Sequence, residues 1–263
     1  MADTTENRDV KITLYWLNES RAQNILWLLE ALQLPYQLKP FKRGPDGFAP
    51  AELKQIHPLG KSPVVTIERP GQTQPLVLAE SGNIIEYLVD HFGGVEKGLV
   101  PQRYVDGSGE ETESWLRYRF FMHYSEGSLM PNLLLALILN NLRNAPVPFF
   151  IRPFIRPFTR MIANQIQTSF LDKQFAVHFP FLENQLKTAP GVDNTDTIKR
   201  GGLCGKDFTA ADMLMSFGLI AATEFGLITK DKFPEIVAYT ERIKADEAYK
   251  KAAAKAAEIS ASL

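Results

Sequence analysis

Two rhythms of hydrophobic and polar positions divide the chain. Over the first hundred residues short apolar runs alternate with helical stripes. Lys11–Leu17 (KITLYWL) is a β-type run, and from Ser20 to Leu32 the apolar residues Ala22, Ile25, Leu26, Leu29 and Leu32 recur at helical spacing. Leu34-Pro35 ends that helix, and Tyr36–Phe41 reads as a second strand. The intervening helix makes the two strands parallel, in a right-handed βαβ unit. Ala51–Ile56 is a short helix. Pro63–Ile67 and Leu76–Ala79 are strands joined through Pro70-Gly71-Gln72, which suits an antiparallel hairpin. Ser81–Phe92 is a helix that stops before Gly93-Gly94. The predicted order is β-α-β-α-β-β-α.

Beyond residue 105 the period-two runs disappear. Val105–Glu113, with Gly107, Ser108 and Gly109, reads as a linker into a helix, and helical periodicity then occupies 110–144, 151–188, 209–226 and 233–260. The expected fold class is α/β plus all-α, a first domain over 9–95 and an all-helical domain over 110–258. The Ala/Lys-rich tail near 250–257 reads as a solvated helix.

Composition removes several classes of function. Of 263 residues, 45% are hydrophobic and 22% charged, as in ordinary globular proteins. Twenty-nine basic against thirty acidic residues leave a formal charge of -1, without the basic excess of a nucleic-acid binder. The single cysteine, Cys204, excludes an internal disulfide and a CxxC pair, and His57, His91, His123 and His178 lack the spacing of a metal site, so no metal is expected. Residues 1–9 are polar, unlike a signal peptide, and the longest clean apolar run, Leu133–Leu139, falls far short of the roughly 20 residues of a spanning helix. A reducing cytoplasmic setting is the expectation.

Three junctions of the first domain carry candidate chemistry. Asn18-Glu19-Ser20-Arg21 follows the first strand, where amide, hydroxyl and free helix N–H groups converge on an anion or nucleophile; ordinary capping by Asn18 or Ser20 is the structural alternative. His57-Pro58-Leu59-Gly60-Lys61-Ser62-Pro63 places a proline at a strand start, as an edge or cis turn allows. There Ser62 would meet an extended peptide and Lys61 a carboxylate, unless the segment is a plain turn. In Ala79-Glu80-Ser81-Gly82, Ser81 is a good N-cap, and beside Glu80 it suits the α-amino-acid end of a ligand.

The order of elements, the motifs LxxIHPLGKSPV and LAESGxIIEYL, and the later FTAADMLMSF resemble the glutathione transferase family over about Lys11 to Ala257. The opening LYWLNESRAQNILWLLE and the KRGPDGFAPAELKQIHPLGKSPV stretch look most like a fungal and bacterial subgroup that includes peripherally membrane-associated enzymes. The resemblance implies a thioredoxin-like glutathione-binding domain followed by the helical domain, with the acceptor site between them. By position Lys61 would contact the glycine carboxylate of glutathione. Ser62, before a cis Pro63, would pair its backbone with the cysteinyl segment, and Glu80 and Ser81 would hold the γ-glutamyl group. His57 is carried as a ligand neighbour with a structural role. Trp16 stands where related branches place a catalytic Tyr, with Tyr15 on the opposite face. The thiol-activating candidates are therefore Asn18, preferred, and Ser20. Thr209-Ala210-Ala211-Asp212 is similar to the family's capping box, with Phe208 and Met213 as its staple, a device worth about 1 kcal/mol or somewhat more.

From Gly127 to Leu171 there is no Asp or Glu, yet Arg143, Arg152, Arg156 and Arg160 stand among LLLALIL, Phe149-Phe150, Phe154 and Phe158, and Pro146, Pro148, Pro153 and Pro157 break the stretch, so one long helix across it is not expected. This stretch is an apolar acceptor wall, a patch for anionic lipid, or core packing with a dimer interface. By the resemblance Tyr118, Phe121, Met122 and Tyr124 on the preceding helix are acceptor-site candidates, and as a helical stripe they read equally as core. The expected function is conjugation of glutathione to hydrophobic electrophiles, with glutathione peroxidase activity beside it. Glutathione serves as co-substrate, with no cofactor and no nucleic acid. The expected assembly is a homodimer, in the cytoplasm or peripheral on an intracellular membrane. A non-catalytic glutathione-binding protein is the alternative, and a disulfide or dehydroascorbate reductase a third, disfavoured by the missing site cysteine.

Overall fold

The computed structural model describes residues 10–191 and 201–263. The polar segment 1–9, with the expected start of the first domain at residue 9, lies outside them. Strand β1 (Lys11–Leu17), helix α1 (Ala22–Leu32) and strand β2 (Tyr36–Phe41) form the predicted parallel unit, with Ile12 paired to Tyr36 and Leu17 to Phe41. After the single turn of α2 (Leu53–Ile56) come β3 (Val64–Glu68), β4 (Leu76–Ala79) and α3 (Ser81–His91). The sheet order is β2-β1-β3-β4, and β3 runs antiparallel to both neighbours.

Alternation along β1 sorts its side chains to two faces. Ile12, Leu14 and Trp16 enter the main core with α1 and α3, whereas Tyr15 joins a small cluster with Leu53 and Val64 on the other face, the separation expected of Tyr15 and Trp16. Helix α1 begins two residues later than its pattern suggests, because the Ser20 hydroxyl accepts from the Ala22 N–H and donates to the Leu17 carbonyl, holding the chain in a turn.

The helical part starts with α4 (Glu113–Tyr124), which passes through a wider π-helical turn (Ser125–Leu129) into α5 (Met130–Arg143). Helix α6 (Arg152–Ile166) likewise passes through a π-helical turn (Gln167–Leu171) into α7 (Asp172–Lys187). The prolines act unevenly. Pro146 and Pro148 occupy the break before α6, but Pro153 sits in its first turn, where no backbone donor is needed, and Pro157 lies inside it. Then follow α8 (Ala210–Glu224), α9 (Pro234–Ala245) and α10 (Glu247–Ser262). The one segment expected over 233–260 is two helices. Asp246 stops the first, its carboxylate accepts from the Tyr249 N–H to cap the second, and it also takes the indole N–H of Trp27.

Helix α8 is the buried axis of this part, and the capping box at its start is present. Asp212 is 0% exposed and accepts from the Leu203 N–H (2.7 Å), the Thr209 N–H (2.7 Å), the Thr209 hydroxyl (2.8 Å) and the Tyr239 phenol (2.9 Å). Burial pushes its carboxyl up from the ordinary value, against the pull of these donors. Phe208 packs edge-on to the rings of Trp27 and Tyr239, so the staple position also joins the two parts of the chain. Asn24 of α1 adds a buried tie, donating to the Leu214 carbonyl and accepting from the Ser216 hydroxyl.

Candidate active site

The sheet register brings the three junctions to one end. Tyr15 pairs with Val64, and Val64 with Ala79, so these residues form one row across β1, β3 and β4. Because β1 and β4 end there and β3 begins there, Asn18, Ser62 and Glu80-Ser81 all lie just beyond that row. A direct bond ties two of the segments, the Ser62 hydroxyl donating to the Tyr15 carbonyl at 2.9 Å. The Ser62-Pro63 peptide is cis, as expected, and Pro63 is buried.

At the first junction Arg43, in the loop after β2, organises the corner. Its backbone N–H donates to Asn18 Oδ1 at 2.8 Å, and its guanidinium donates to the carbonyls of Asn18 (3.2 Å), Glu19 (3.1 Å) and Gly47 (3.0 Å). Glu19 is held there with φ +50°, a backbone conformation that side chains other than glycine adopt only when their surroundings impose it. With Oδ1 committed to the Arg43 N–H, the Asn18 amide has a defined orientation, and among the described residues its Nδ2 donor has no partner. Ser20 differs. Its hydroxyl is buried and both donates and accepts within the chain.

The third junction carries another left-handed non-glycine residue of the site, Glu80, at φ +69°. The expectation that Ser81 caps its helix is not met: Ser81 is the first helical residue, Glu80 holds the cap position, and no side chain caps the turn. The Ser81 hydroxyl is left 3% exposed without a hydrogen-bond partner. Such a group costs roughly 1–3 kcal/mol in desolvation unless something satisfies it. It points to a ligand atom more directly than a capping serine would. The free N–H groups of the first α3 turn add positive potential beside it.

The remaining candidates divide. Lys61 is exposed, and among the described residues its ammonium has no anionic partner. His57 holds the turn before it, accepting from the Leu59 N–H at Nδ1 (3.4 Å) and from the Gly60 N–H at its carbonyl (2.9 Å). A cleft of about 240 Å³ separates α3 from the end of α4, lined by Glu80, Gly82, Asn83, Glu86, Met122, His123 and Glu126. Of the acceptor candidates only Met122 reaches it. Tyr118 is buried near Glu86 and Asp90 of α3, with its phenol pKa pushed up by burial. Tyr124 faces away into a second groove with Leu116, Arg119, Phe120, His123 and Ser128, and its hydroxyl meets His178 Nδ1 at 2.6 Å.

Two contributions were not visible in the sequence. Arg21, the last residue of the first junction, forms an ion pair with Glu126 of the π-helical turn, a partner far along the chain, and so clamps the two parts of the chain beside the cleft. Arg43 has no local signal, since the residues it orients lie on the other side of a helix and a strand. The strain at Glu19 and Glu80 has no signal in their residue type either. Cys204 takes no part. It is buried near Asp212, and burial pushes its thiol pKa up.

The profile of the family described as glutathione S-transferase, N-terminal domain, matches residues 20–91. Glutathione S-transferase 1 of Saccharomyces cerevisiae is 32% identical over 238 residues, covering 90% of this chain and 92% of that protein. Glutathione S-transferase 3 of Schizosaccharomyces pombe is 31% identical over 80% of this chain and 74% of that protein. The crystal structure of a glutathione S-transferase from Actinobacillus pleuropneumoniae superposes with a TM-score of 0.63 at 30% identity, covering 93% and 92% of the two chains. The thioredoxin-like sheet followed by helices is common to both structures.

Proposed function

The chain belongs to the glutathione S-transferase family, and from that premise we propose that it conjugates the thiolate of glutathione to hydrophobic electrophiles, with glutathione-dependent reduction of peroxides as a second activity. The observation that carries this reading is the buried, partnerless hydroxyl of Ser81 at the start of α3. A γ-glutamyl carboxylate there would satisfy the hydroxyl and the free helix N–H groups together, with Glu80 beside its ammonium. The Ser62 backbone would align the cysteinyl segment, and Lys61 would meet the glycine carboxylate.

The sulfur then lies toward Asn18. A thiol of ordinary pKa near 8.5 is only a few per cent ionised at neutral pH, and the thiolate is the nucleophile. The free Nδ2 donor, held in place by the Arg43 bond to Oδ1, would lower that pKa by binding the anion. Attack forms a carbon–sulfur bond and expels the leaving group of the electrophile. Met122 and the cleft between α3 and α4 would offer the apolar partner its surface. In this reading the active form is a homodimer, and glutathione is a co-substrate with no further cofactor.

The test is the ultraviolet thiolate absorbance of the glutathione complex against pH, together with turnover of an activated chloronitrobenzene. The proposal expects a bound thiol that ionises below its free value and a conjugation rate that follows the same titration. Glutathione that binds with its thiol pKa unchanged and without acceleration would overturn it in favour of a non-catalytic binding protein.

A further inference from the structure

The π-helical turn between α4 and α5 carries an acid, Glu126, whose two carboxylate oxygens have different surroundings. Oε2 is taken by the Arg21 guanidinium, in the ion pair that joins the two parts of the chain. Oε1 is buried and has no hydrogen-bond partner. An ionised carboxylate accepts at both oxygens, and leaving a buried one without a donor costs more than leaving a neutral group without one. Wide turns of this kind inside helices are frequent at functional sites. This one stands at the candidate active site. Met122 and Glu126, four residues apart, line one wall of the cleft, and Glu80 and Gly82, on either side of Ser81, line the other. The charge of the lining is one-sided. Glu80, Glu86 and Glu126 bring three carboxylates, and His123 is the single basic residue among the lining side chains.

Resting on the glutathione reading of Ser81, we propose that Glu126 is a second acceptor for the γ-glutamyl ammonium, so that the helical part of the chain recognises the amino end of a ligand held by the first domain. In that reading the Ser81 hydroxyl takes the γ-glutamyl carboxylate. The ammonium is bonded to the same carbon, which sets it beside the cleft-lining residues that flank Ser81. An ammonium has three donors. Glu80 takes one, and a buried, anionic oxygen without a partner is the complement of another. Arg21 acts as a positioning residue: by holding Oε2 it fixes the carboxylate and leaves Oε1 for the ligand.

The experiment is calorimetric titration of the full chain with glutathione and with glutaryl-cysteinylglycine, the same tripeptide with a hydrogen in place of the γ-glutamyl ammonium. The parent should bind glutathione roughly ten- to hundredfold more tightly than the analogue. Glu126→Gln keeps an acceptor for Arg21 and removes the charge. It should weaken glutathione roughly tenfold, with the analogue unchanged or slightly tighter, because the carboxylate that the analogue keeps no longer faces an anion. Arg21→Gln opens the same ion pair but spares the carboxylate, so the preference for glutathione should persist. Glu86→Gln removes a charge from the same cleft and should leave the ratio of the two affinities close to the parent's. A ratio unchanged in Glu126→Gln would overturn the assignment. So would a ratio that falls equally in Arg21→Gln, the mark of a clamp, or in Glu86→Gln, the mark of a general field. A parent that binds both ligands equally would overturn it without any variant. A parent that binds neither would overturn the glutathione reading itself, and the role of Glu126 with it.

Discussion

Asp212 and Ser81 are both buried polar side chains in the first turn of a helix, and they are opposites. Asp212, in the helical part, takes a hydrogen bond from each of four donors and is sealed from solvent. Ser81, at the end of the sheet, has no partner. Each side chain is small and local, so the sequence alone presents both as caps. The difference in satisfaction separates their roles. A saturated group belongs to the fold, and an orphaned one, here between the cleft-lining Glu80 and Gly82, is the place where our proposal puts a ligand.

The sharpest way to break this contrast is at the saturated end. Asp212→Ala strands a buried amide pair, a hydroxyl and a phenol, and should cost about 3–5 kcal/mol of folding stability, well above what a surface capping box is worth. Denaturant unfolding measures it, and the glutathione dissociation constant of the folded fraction should stay the same. A loss of affinity at unchanged stability would reverse the assignment.

Next comes the first junction, where the same distinction separates Asn18 from Ser20. Asn18→Ala removes an uncommitted donor. The conjugation rate should fall roughly ten- to hundredfold at neutral pH and recover in alkali, where the thiol ionises unaided. Ser20→Ala breaks a saturated turn instead and should lower stability by about 1 kcal/mol with little change in the thiol titration. A thiol pKa that moves in the Ser20 variant alone would exchange their roles.

A smaller effect sharpens the intermediate case. Asn132 donates to the Ser128 carbonyl and approaches His178 Nε2 at 3.3 Å, which makes Nε2 the acceptor and leaves Nδ1–H to donate to Tyr124. Burial lowers the His178 pKa, in keeping with a neutral ring. A histidine with a depressed folded pKa contributes stability above its unfolded value, about 6.5, and loses it as pH falls toward the folded value. Unfolding midpoints at roughly pH 7.5 and pH 5.5 should therefore differ more in the parent than in His178→Gln. Equal differences would mean that the ring titrates freely.

What the sequence made legible follows its periodicities. Period-two and period-3.6 patterns gave the strands and helices of the first domain to within two residues, and the junctions between them located Asn18, Ser62 and Ser81. Contacts between distant segments were not legible. Arg43 orients Asn18 across an intervening helix and strand, and Arg21 meets Glu126 far along the chain. Nor does a helical stripe say which way it faces. The pattern of Phe154, Phe158 and Met161 fits an inward or an outward face equally, and only the packing of Ala163 decides it. Pro157 was misread because its effect depends on its place in the helix, just past the first turn.

The central claim, that Ser81 is kept free for glutathione, is tested most directly by two measurements on Ser81→Ala. Thermal unfolding without ligand should show stability unchanged within about 0.5 kcal/mol or slightly raised, since a buried hydroxyl without a partner is removed. Calorimetric titration with glutathione should show affinity weakened roughly ten- to hundredfold, the loss of a hydrogen bond to a charged group. The contrary result, lower stability with an unchanged dissociation constant, would make Ser81 a structural residue like Asp212 and remove the observation on which the glutathione site stands.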